Sequence, residues 1–560
     1  MKNNMYSTIF SILLMLSFFN SYNYSQNWDY LDVEPGYETL NIAIEGDTTS
    51  TGEPISLNRA YRLQRDGVYL YNGSITNLSG STMRIVASEG TGKLPLIIPV
   101  ADQTGSSRRF FLARGNGYFE NLAISGVDNL GNVVSEGNMF RLASSDIKLT
   151  IKGCFLDYDL QSFIRMNSSN QSVFVINSVL RNSTNPVSTG NGRFIDTRGN
   201  PQDTISVKNS TLYITSQNII RGKGSLINQF ILDHVTIFGG NGINAGYSGI
   251  VSKTDGIIEI MRSINCQITN NLFIDCGFEG GENSPSDPAD TVKAPIIPID
   301  SLRTDDPSKE LNRVWDIRNN VYGWSPSLET WFSSTDSSYT PVFLNVYADE
   351  LFNLYPTMKA SNNVREFVQF TDPPSSEALA AFAQHKQATG NSDIDNPIIT
   401  ADKNGLAALQ DDPNSFGPAE NEFDFKYNTN SQAYTFAEGG LPAGDLNPWG
   451  IDYSTTGIEE NYKYSIPAEF SLSQNYPNPF NPSTMIEYTV PFTSNITLSV
   501  YNVLGQEVVR LIDNKLQATG QYTISWDTSN GSSKSLSSGI YIYQLRTEGM
   551  TISKKMILLK

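Results

Sequence analysis

The sequence predicts an all-β protein, in which a stack of short parallel strands is followed by a small β-sandwich. Only 17% of its 560 residues are charged, while Gly, Asn, Ser, Thr and Tyr are abundant, a composition that suits strands and tight turns. A short pattern recurs through the middle of the chain. Short alternating strands separated by Gly turns occupy the C-terminal part.

The first 25 residues predict a secretory signal peptide. Lys2 supplies the positive charge, residues 9–19 are apolar, and small Ser25 stands before the predicted cleavage point at Gln26. The apolar run is too short to cross a bilayer comfortably, and no later part of the sequence is a candidate transmembrane segment. The pattern therefore predicts an exported chain.

Between residues 110 and 325 the chain repeats one motif: an apolar residue, any residue, Asn or a substitute for it, and then further apolar positions. Repeats 24 to 49 residues apart indicate a solenoid, in which strands too short to bury an apolar face alone share one core. Asn suits the third position because it tolerates the left-handed backbone conformation and can hydrogen-bond along the stack. The third positions are Asn121, Gly153, Asn177, Asn209, His234, Asn270 and Asn319.

A second short motif precedes several repeats and ends in a charged residue. Equivalent positions on stacked strands lie about 4.8 Å apart. These charged residues should therefore form one stripe, which we call the charged stripe. Its members are Arg141, Arg165, Asp196 and Arg221.

The repeats resemble the right-handed parallel β-helix of pectate-lyase-like proteins over residues 60–346. Residues 61–70, 84–87 and 444–447 are similar to uncharacterised surface β-helix proteins of Bacteroidetes-type bacteria. That family has no assigned chemistry, so the resemblance implies an architecture and leaves the activity open.

Composition suggests the remaining boundaries. Residues 281–313 are rich in Pro, Ser and Asp and predict a loop inserted between coils, whereas residues 375–387 predict a helix opened by Ser, with a second near 401–410. A cap should cover the open end of the stack, because unprotected strand edges aggregate. The predicted order is signal peptide 1–25, N-terminal β segment and first coils 26–105, β-helix 106–346, C-terminal cap with short helices 347–454, linker 455–468 and C-terminal domain 469–560.

The C-terminal domain predicts about seven short strands and an immunoglobulin-like β-sandwich. Its motifs, in order, resemble the type A sorting domain of the type IX secretion system. The resemblance implies outer-membrane passage, a partnership of residues 469–560 with the secretion machinery, and then removal of the domain with release or attachment to surface glycolipid. The alternative is an adhesive immunoglobulin-like module. The matching segments are 476–482, 500–506, 522–527, 539–545 and 554–560.

Arginines in the charged stripe suit an acidic polysaccharide, because guanidinium groups pair with carboxylates. The leading hypothesis is a secreted, carbohydrate-interacting surface protein with the stripe as its binding residues. A second hypothesis, implied by the resemblance, is a polysaccharide lyase in which an Arg or Lys removes the proton beside a uronate carboxylate, often with Ca²⁺. A third is a structural or adhesive surface protein in which the stripe is only a ladder of salt bridges.

Other acidic residues are candidates for catalysis or metal binding. Asp157 and Asp159 are the nearest pair for glycoside hydrolysis, which needs two carboxylates flanking one bond. Two acidic doublets are candidate Ca²⁺ ligands, with solvated loops as the alternative. The doublets are Asp305-Asp306 and Asp411-Asp412.

Several function classes are disfavoured. The net charge of −18, concentrated in residues 281–460, argues against a nucleic-acid partner. The two histidines, His234 and His385, argue against a His-based zinc site or a Ser-His-Asp triad, and His234 falls on a structural repeat position. Three cysteines make no disulfide framework, and buried thiols are favoured over a Cys266–Cys276 pair, with Cys154 left over.

Overall fold

Most of the described chain is strand, with a large parallel sheet and few helices. The predicted signal peptide and the predicted helix near 401–410 lie outside the described residues. The computed structural model describes residues 28–50, 55–56, 58–101, 109–133, 138–185, 191–240, 258–260, 262–278, 282–284, 287–292, 295–299, 301–302, 313–334, 341–345, 348–389, 423–456, 470–490, 494–517, 520–529, 536–547 and 550–559.

Strands from successive repeats pair in parallel and form three columns. The first column holds β1 (Asp29–Val33), β3 (Arg59–Leu63), β6 (Thr82–Ala87), β9 (Asn116–Glu120), β12 (Lys148–Lys152), β15 (Ser172–Ile176), the first halves of β18 (Gln202–Thr215) and β20 (Ile227–Phe238), β22 (Ser263–Thr269), β27 (Val314–Arg318) and β30 (Met358–Ser361).

The second column lies beside the first and includes the second halves of β18 and β20. Its other strands are β2 (Gly36–Tyr37), β4 (Val68–Tyr71), β7 (Leu96–Pro99), β10 (Ala123–Ser125), β13 (Phe155–Asp157), β16 (Val179–Ser183), β23 (Leu272–Ile274), β28 (Val321–Gly323) and β31 (Val364–Arg365). The third column holds β5 (Ile75–Thr76), β8 (Phe111–Ala113), β11 (Asn138–Leu142), β14 (Ser162–Met166), β17 (Arg193–Asp196), β19 (Ile220–Arg221) and β21 (Ile258–Glu259). Successive passes of the chain through these columns are consistent with a parallel β-helix.

The bend between the first and second columns is made by the repeated third position of the motif. Each of these residues has a positive φ, from 44° at Asn209 to 62° at Asn270, which confirms the left-handed conformation predicted for them. Several of the Asn side chains bond along the stack, and Asn209 Nδ2 donates to Asn177 Oδ1 at 2.8 Å. Asn362 extends the row by donating to Asn319 Oδ1 at 2.7 Å. We call this row, from Asn121 to Asn362, the corner ladder.

Gly153 replaces Asn in the corner ladder for a steric reason. A Cβ at Gly153 would lie 2.2 Å from Asn121 Oδ1, far inside van der Waals contact. The positive φ of 61° at this residue is also one that glycine adopts at no steric cost. The exception to the Asn pattern is therefore set by the neighbouring rung.

One hydrophobic core runs through the columns. Phe119 contacts Phe110 and Phe140 edge to face, with ring centroids 5.7 and 5.0 Å apart. The three cysteines are buried and free, as favoured from the sequence. Burial raises the pKa of the Cys154 thiol to about 12 and also raises the pKa values of Cys266 and Cys276.

The described chain contains four α-helices outside the strand columns. The helix predicted over 375–387 is confirmed as α4, and Ser375 Oγ caps it by accepting from Ala378 N at 3.2 Å. Leu40 and Ile44 of α1 are buried against the first coils. The helices are α1 (Thr39–Gly46), α2 (Pro326–Ser334), α3 (Ala348–Leu354) and α4 (Ser376–Thr389).

The segment 281–313, predicted as an inserted loop, contains strands. β24 (Glu282–Ser284) and β25 (Asp287–Val292) form an antiparallel pair, and β26 (Pro295–Ile297) pairs in parallel with β29 (Val342–Leu344). β-Strand pairing satisfies backbone groups that a long loop would leave to water.

The described residues of the predicted end cap, 347–454, fall into two parts with different positions in the fold. β30 and β31 continue the first and second columns, while the segment 433–456, which we call the strap, lies along the corner ladder. Leu446 N donates to Asn209 Oδ1 at 2.8 Å, and Gly444 N donates to the Asn270 carbonyl oxygen at 2.8 Å. Short 3₁₀ turns occur at the start of the strap and within it: Gln432–Thr435, Glu438–Gly440, Asn447–Trp449 and Tyr453–Thr455. β32 (Phe370–Asp372) pairs antiparallel with β33 (Asp424–Tyr427), which precedes the strap.

The C-terminal domain has a separate core and two antiparallel sheets. The three-stranded sheet holds β34 (Ser471–Leu472), β35 (Ser483–Val490) and β38 (Gly520–Asp527). The four-stranded sheet holds β36 (Ser494–Asn502), β37 (Glu507–Gln517), β39 (Gly539–Thr547) and β40 (Met550–Leu558). The immunoglobulin-like arrangement of these strands stays a prediction. No helix in the described ranges combines the length and apolar character needed to cross a membrane.

Candidate functional site

The charged stripe lies on the third column, with its members on neighbouring strands. Arg165 of β14 stands opposite Arg141 of β11 on one side and opposite Asp196 of β17 on the other. Asp196 in turn stands opposite Arg221 of β19. Ile164, next to Arg165 in the chain, is fully buried, because alternate residues of a strand point to opposite faces.

Asp196 and Arg221 form a bidentate ion pair. Arg221 Nη2 donates to Asp196 Oδ2 at 2.7 Å and Nε donates to Oδ1 at 3.2 Å. Burial raises the pKa of Asp196, but the charge and hydrogen bonds of Arg221 outweigh it, so the net pKa lies below its usual range. These two members of the stripe are therefore engaged with each other.

Arg165 is held by neutral groups. Its Nη1 donates to Gln161 Oε1 at 3.2 Å and to Asn138 Oδ1 at 3.4 Å, and it forms no salt bridge with a described carboxylate. Burial lowers the pKa of Arg165, the charge of Arg198 lowers it further, and the charge of Asp196 opposes this. The guanidinium thus keeps donor capacity and an uncompensated charge.

Arg141 and a residue outside the predicted stripe, Arg109, add to the positive charge. Arg141 is partly exposed and makes no hydrogen bond or ion pair within the described ranges. Burial and the charge of Arg141 lower the pKa of Arg109, which precedes β8. Sequence reasoning missed Arg109 because it lies outside the short motif, and the Arg108-Arg109 doublet was the available signal.

The Asp157–Asp159 pair does not form a catalytic dyad. Asp157 is 1% exposed and accepts two hydrogen bonds from Arg181, at 2.9 and 3.0 Å. Tyr158 between them has φ 55°, so the chain turns and the two carboxylates diverge in their partners. Asp159 accepts from the backbone N–H of Met139 at 2.9 Å and of Gln161 at 2.6 Å, and burial raises its pKa to about 8. Because both carboxylates are buried and bonded to groups of the protein itself, their arrangement does not favour this pair for glycoside hydrolysis. The sequence pattern did not indicate that Arg181 would be the partner of Asp157.

A second cluster of titratable groups lies under the strap and is closed to solvent. Asp233 accepts from Tyr453 OH at 2.5 Å, from Thr269 Oγ1 at 2.6 Å and from Asn270 Nδ2 at 2.8 Å. His234 lies at 0% exposure with Nδ1 3.2 Å from Asp233 Oδ2. Burial raises the pKa of Asp233, but His234 and these hydrogen bonds lower it more, so the carboxyl is held charged. The cluster holds the strap, which agrees with a structural role for His234.

The candidate calcium ligands Asp305, Asp306, Asp411 and Asp412 lie outside the described residues. In the part of the chain that the structure describes, no group of three or more His, Cys, Asp or Glu side chains is placed to hold a metal ion. Calcium at the doublets stays an expectation.

The fold and these sites define an all-β protein with a large parallel sheet and a separate C-terminal domain. Residues 474–559 match the family model of the secretion system C-terminal sorting domain. Neither the curated proteins nor the solved structures contain a match to the chain. The chain therefore carries a type IX secretion sorting domain, and the protein is exported to the cell surface or secreted.

Proposed function

We propose that this protein binds an acidic polysaccharide at the charged stripe, outside the cell. The supporting observation is that Arg141 and Arg165 stand on adjacent rungs, about 4.8 Å apart, without a carboxylate partner among the described residues. Guanidinium groups recognise carboxylates through paired hydrogen bonds. Two such groups in register suit a uronate polymer running along the column.

The Asp196–Arg221 end of the stripe has a different role in this proposal. Its ion pair is already satisfied, so it orients the third column and limits the binding surface to Arg141 and Arg165, with Arg109 beside them. We further propose a right-handed, pectate-lyase-like β-helix for residues 106–346, an immunoglobulin-like sandwich for residues 469–560, and a mature chain that begins near Gln26.

The binding proposal is tested on mature protein purified from culture fluid. A glycan array with uronate and neutral polymers should show binding to uronates, and Arg165→Ala should weaken it by about 1.5–3 kcal/mol, with the loss shrinking as salt is raised. Lys359→Ala is the matched control, because Lys359 is exposed on the first column and makes no ion pair with described residues. An unchanged affinity in Arg165→Ala would contradict the proposed site.

A polysaccharide lyase is the second candidate, and the partners of Arg165 favour it. Among the described residues its guanidinium is held only by the neutral amides of Gln161 and Asn138, so it can lie beside a uronate carboxylate, where lyases of the resembling architecture place an Arg or Lys. Incubation with uronate polymers should then release unsaturated products that absorb in the ultraviolet, and Arg165→Lys should slow their release. Binding without such products leaves the carbohydrate-binding function, and no binding leaves a structural or adhesive protein.

The export assignment makes a separate prediction about the mature chain. Mass spectrometry of culture fluid and outer membrane should find a species that begins near Gln26 and ends between residues 457 and 470. The strap must stay attached because Tyr453 is 2% exposed and its hydroxyl bonds to Asp233. Leu472 belongs to the core of the sorting domain. An intact 560-residue chain on the cell surface would contradict this processing.

A further inference from the structure

A groove of about 750 Å³ lies between α2 and α4, and none of its lining residues belongs to the charged stripe. This volume falls in the range of small-molecule sites. Its lining residues come from both helices and from the segment between β31 and α4. They include Ser325, Ser327, Ser376, Glu377, Ala381 and Gln384.

Both walls of the groove are fixed to one buried carboxylate. Asp275, at 0% exposure, accepts from Ser376 Oγ at 2.5 Å and from Ser325 N at 2.6 Å. Ser325 directly precedes α2 and Ser376 begins α4. Since one side chain joins the starts of both helices, the groove is preformed and a ligand would lose little free energy in organising it.

The chemistry of the lining suits a neutral, hydroxyl-rich molecule. Hydroxyl and amide side chains dominate the polar part, and Ser327 and Gln384 make no hydrogen bond to other described residues. Pro and Ala side chains supply apolar patches between them. A sugar ring has the same mixture, with hydroxyl groups at its edge and C–H groups on its faces.

The charge of the groove disfavours anions. Glu377 is the charged member of the lining, and no Lys or Arg belongs to it. The carboxylate of Asp275 already faces the positive ends of both helices, which would otherwise attract an anion. The groove therefore suits a neutral ligand, whereas the charged stripe suits an anionic one.

We propose that this groove binds a short neutral oligosaccharide. The site is additional to the proposed uronate site and independent of it, because no residue is shared. A surface protein with both sites would hold a polysaccharide with acidic and neutral segments, or two different glycans, at separate places.

The test uses the mature chain and a panel of neutral disaccharides (cellobiose, maltose, lactose and mannobiose), with digalacturonate as the anionic comparison. Saturation-transfer NMR identifies a ligand, and titration calorimetry measures its dissociation constant. Ala381→Trp should fill the groove and weaken binding at least tenfold. Ala378→Trp is the control, because Ala378 is exposed on the same helix but does not belong to the lining; its dissociation constant should stay within twofold of that of the parent protein.

The outcomes separate this site from the charged stripe. Arg165→Ala should leave the neutral ligand's affinity unchanged, and Ala381→Trp should leave the affinity for uronate polymers unchanged. Both Trp variants replace exposed residues, and circular dichroism should show parental melting temperatures. Failure of every neutral disaccharide to bind, or equal binding by the parent and Ala381→Trp, would overturn the proposal whatever happens at the stripe.

Discussion

The corner ladder and the charged stripe are both rows of polar side chains repeated once per coil, yet they differ in how their groups are satisfied. Asn270 in the corner ladder is fully buried and bonds to Asp233, to the Glu438 N–H and to the next rung. Arg165 in the stripe is partly exposed and bonds only to neutral amides. Repetition shows that the positions in a row are structurally equivalent. Whether a side chain in the row can bind a ligand depends on its hydrogen-bond and ion-pair partners.

The corner ladder should give the largest stability effect. Asn270→Ala removes hydrogen bonds from buried groups, leaves Asp233 short of a donor and places Ala at a positive φ, so the free energy of unfolding should fall by about 4 kcal/mol. Asn362→Ala is the control, since Asn362 has φ 53° but is exposed at the end of the same ladder. Its loss should be about 1 kcal/mol. Urea unfolding followed by circular dichroism measures both, and equal losses would show that burial does not set the difference.

Within the charged stripe, Arg221 and Arg165 should differ in what their loss costs in stability. Arg221→Ala leaves Asp196, at 3% exposure, without its bidentate ion-pair partner, and Arg198 Nη1, 3.8 Å from Asp196 Oδ2, then remains as a counter-charge. The substitution should cost about 3 kcal/mol of unfolding free energy. Arg221→Ala combined with Asp196→Ala should cost less than Arg221→Ala by itself, because no buried charge is then stranded. The same urea titration reports all these values. A smaller cost for the single variant than for the double would remove the ion pair as the reason.

The strap adds a pH dependence. Asp445, at 3% exposure, accepts from Thr211 Oγ1 at 2.6 Å, and burial raises its pKa to about 6. Because the folded-state pKa exceeds the unfolded value, this contribution is fully present below about pH 4 and is lost as pH rises through about 6. The contribution of Asp445 to the free energy of unfolding should fall by about 2–3 kcal/mol across that window.

Asp445→Asn should remove this part of the pH dependence, whereas Asp349→Asn, at an exposed position in α3, should keep it. Thermal unfolding at pH 4, 5, 6 and 7 compares the variants. If Asp445→Asn and the parent protein have the same slope, the strap is not the source of the effect.

The smallest effect should be that of Arg165→Ala on folding. Arg165 is partly exposed and its hydrogen bonds go to neutral amides, so the free energy of unfolding should change by less than about 1 kcal/mol. The melting temperature measures this, with Arg221→Ala as the contrasting variant. A loss as large as that of Arg221→Ala would mean that Arg165 is a structural residue. That outcome would argue against its role in ligand binding.

The repeated bend, the order of charged residues in the stripe, the helix opened by Ser375 and the sorting domain could all be predicted from the sequence. These features depend on local backbone conformation and on periodicity, both of which are written in neighbouring residues. Asn270 and Asn319 could be placed at the same corner because each alone favours a left-handed conformation.

Which polar groups already have a hydrogen-bond or ion-pair partner depends on the tertiary structure. Asp157 meets Arg181 across one coil, Asp196 meets Arg221, and Tyr453 reaches Asp233 from more than two hundred positions away in the chain. Such pairings depend on the strand register and on how the strap crosses the columns. The energy of a buried charged side chain depends on its partner more than on which amino acid carries the charge. The groove beside α4 arises in the same way, since Asp275 joins two helices that no local pattern connects.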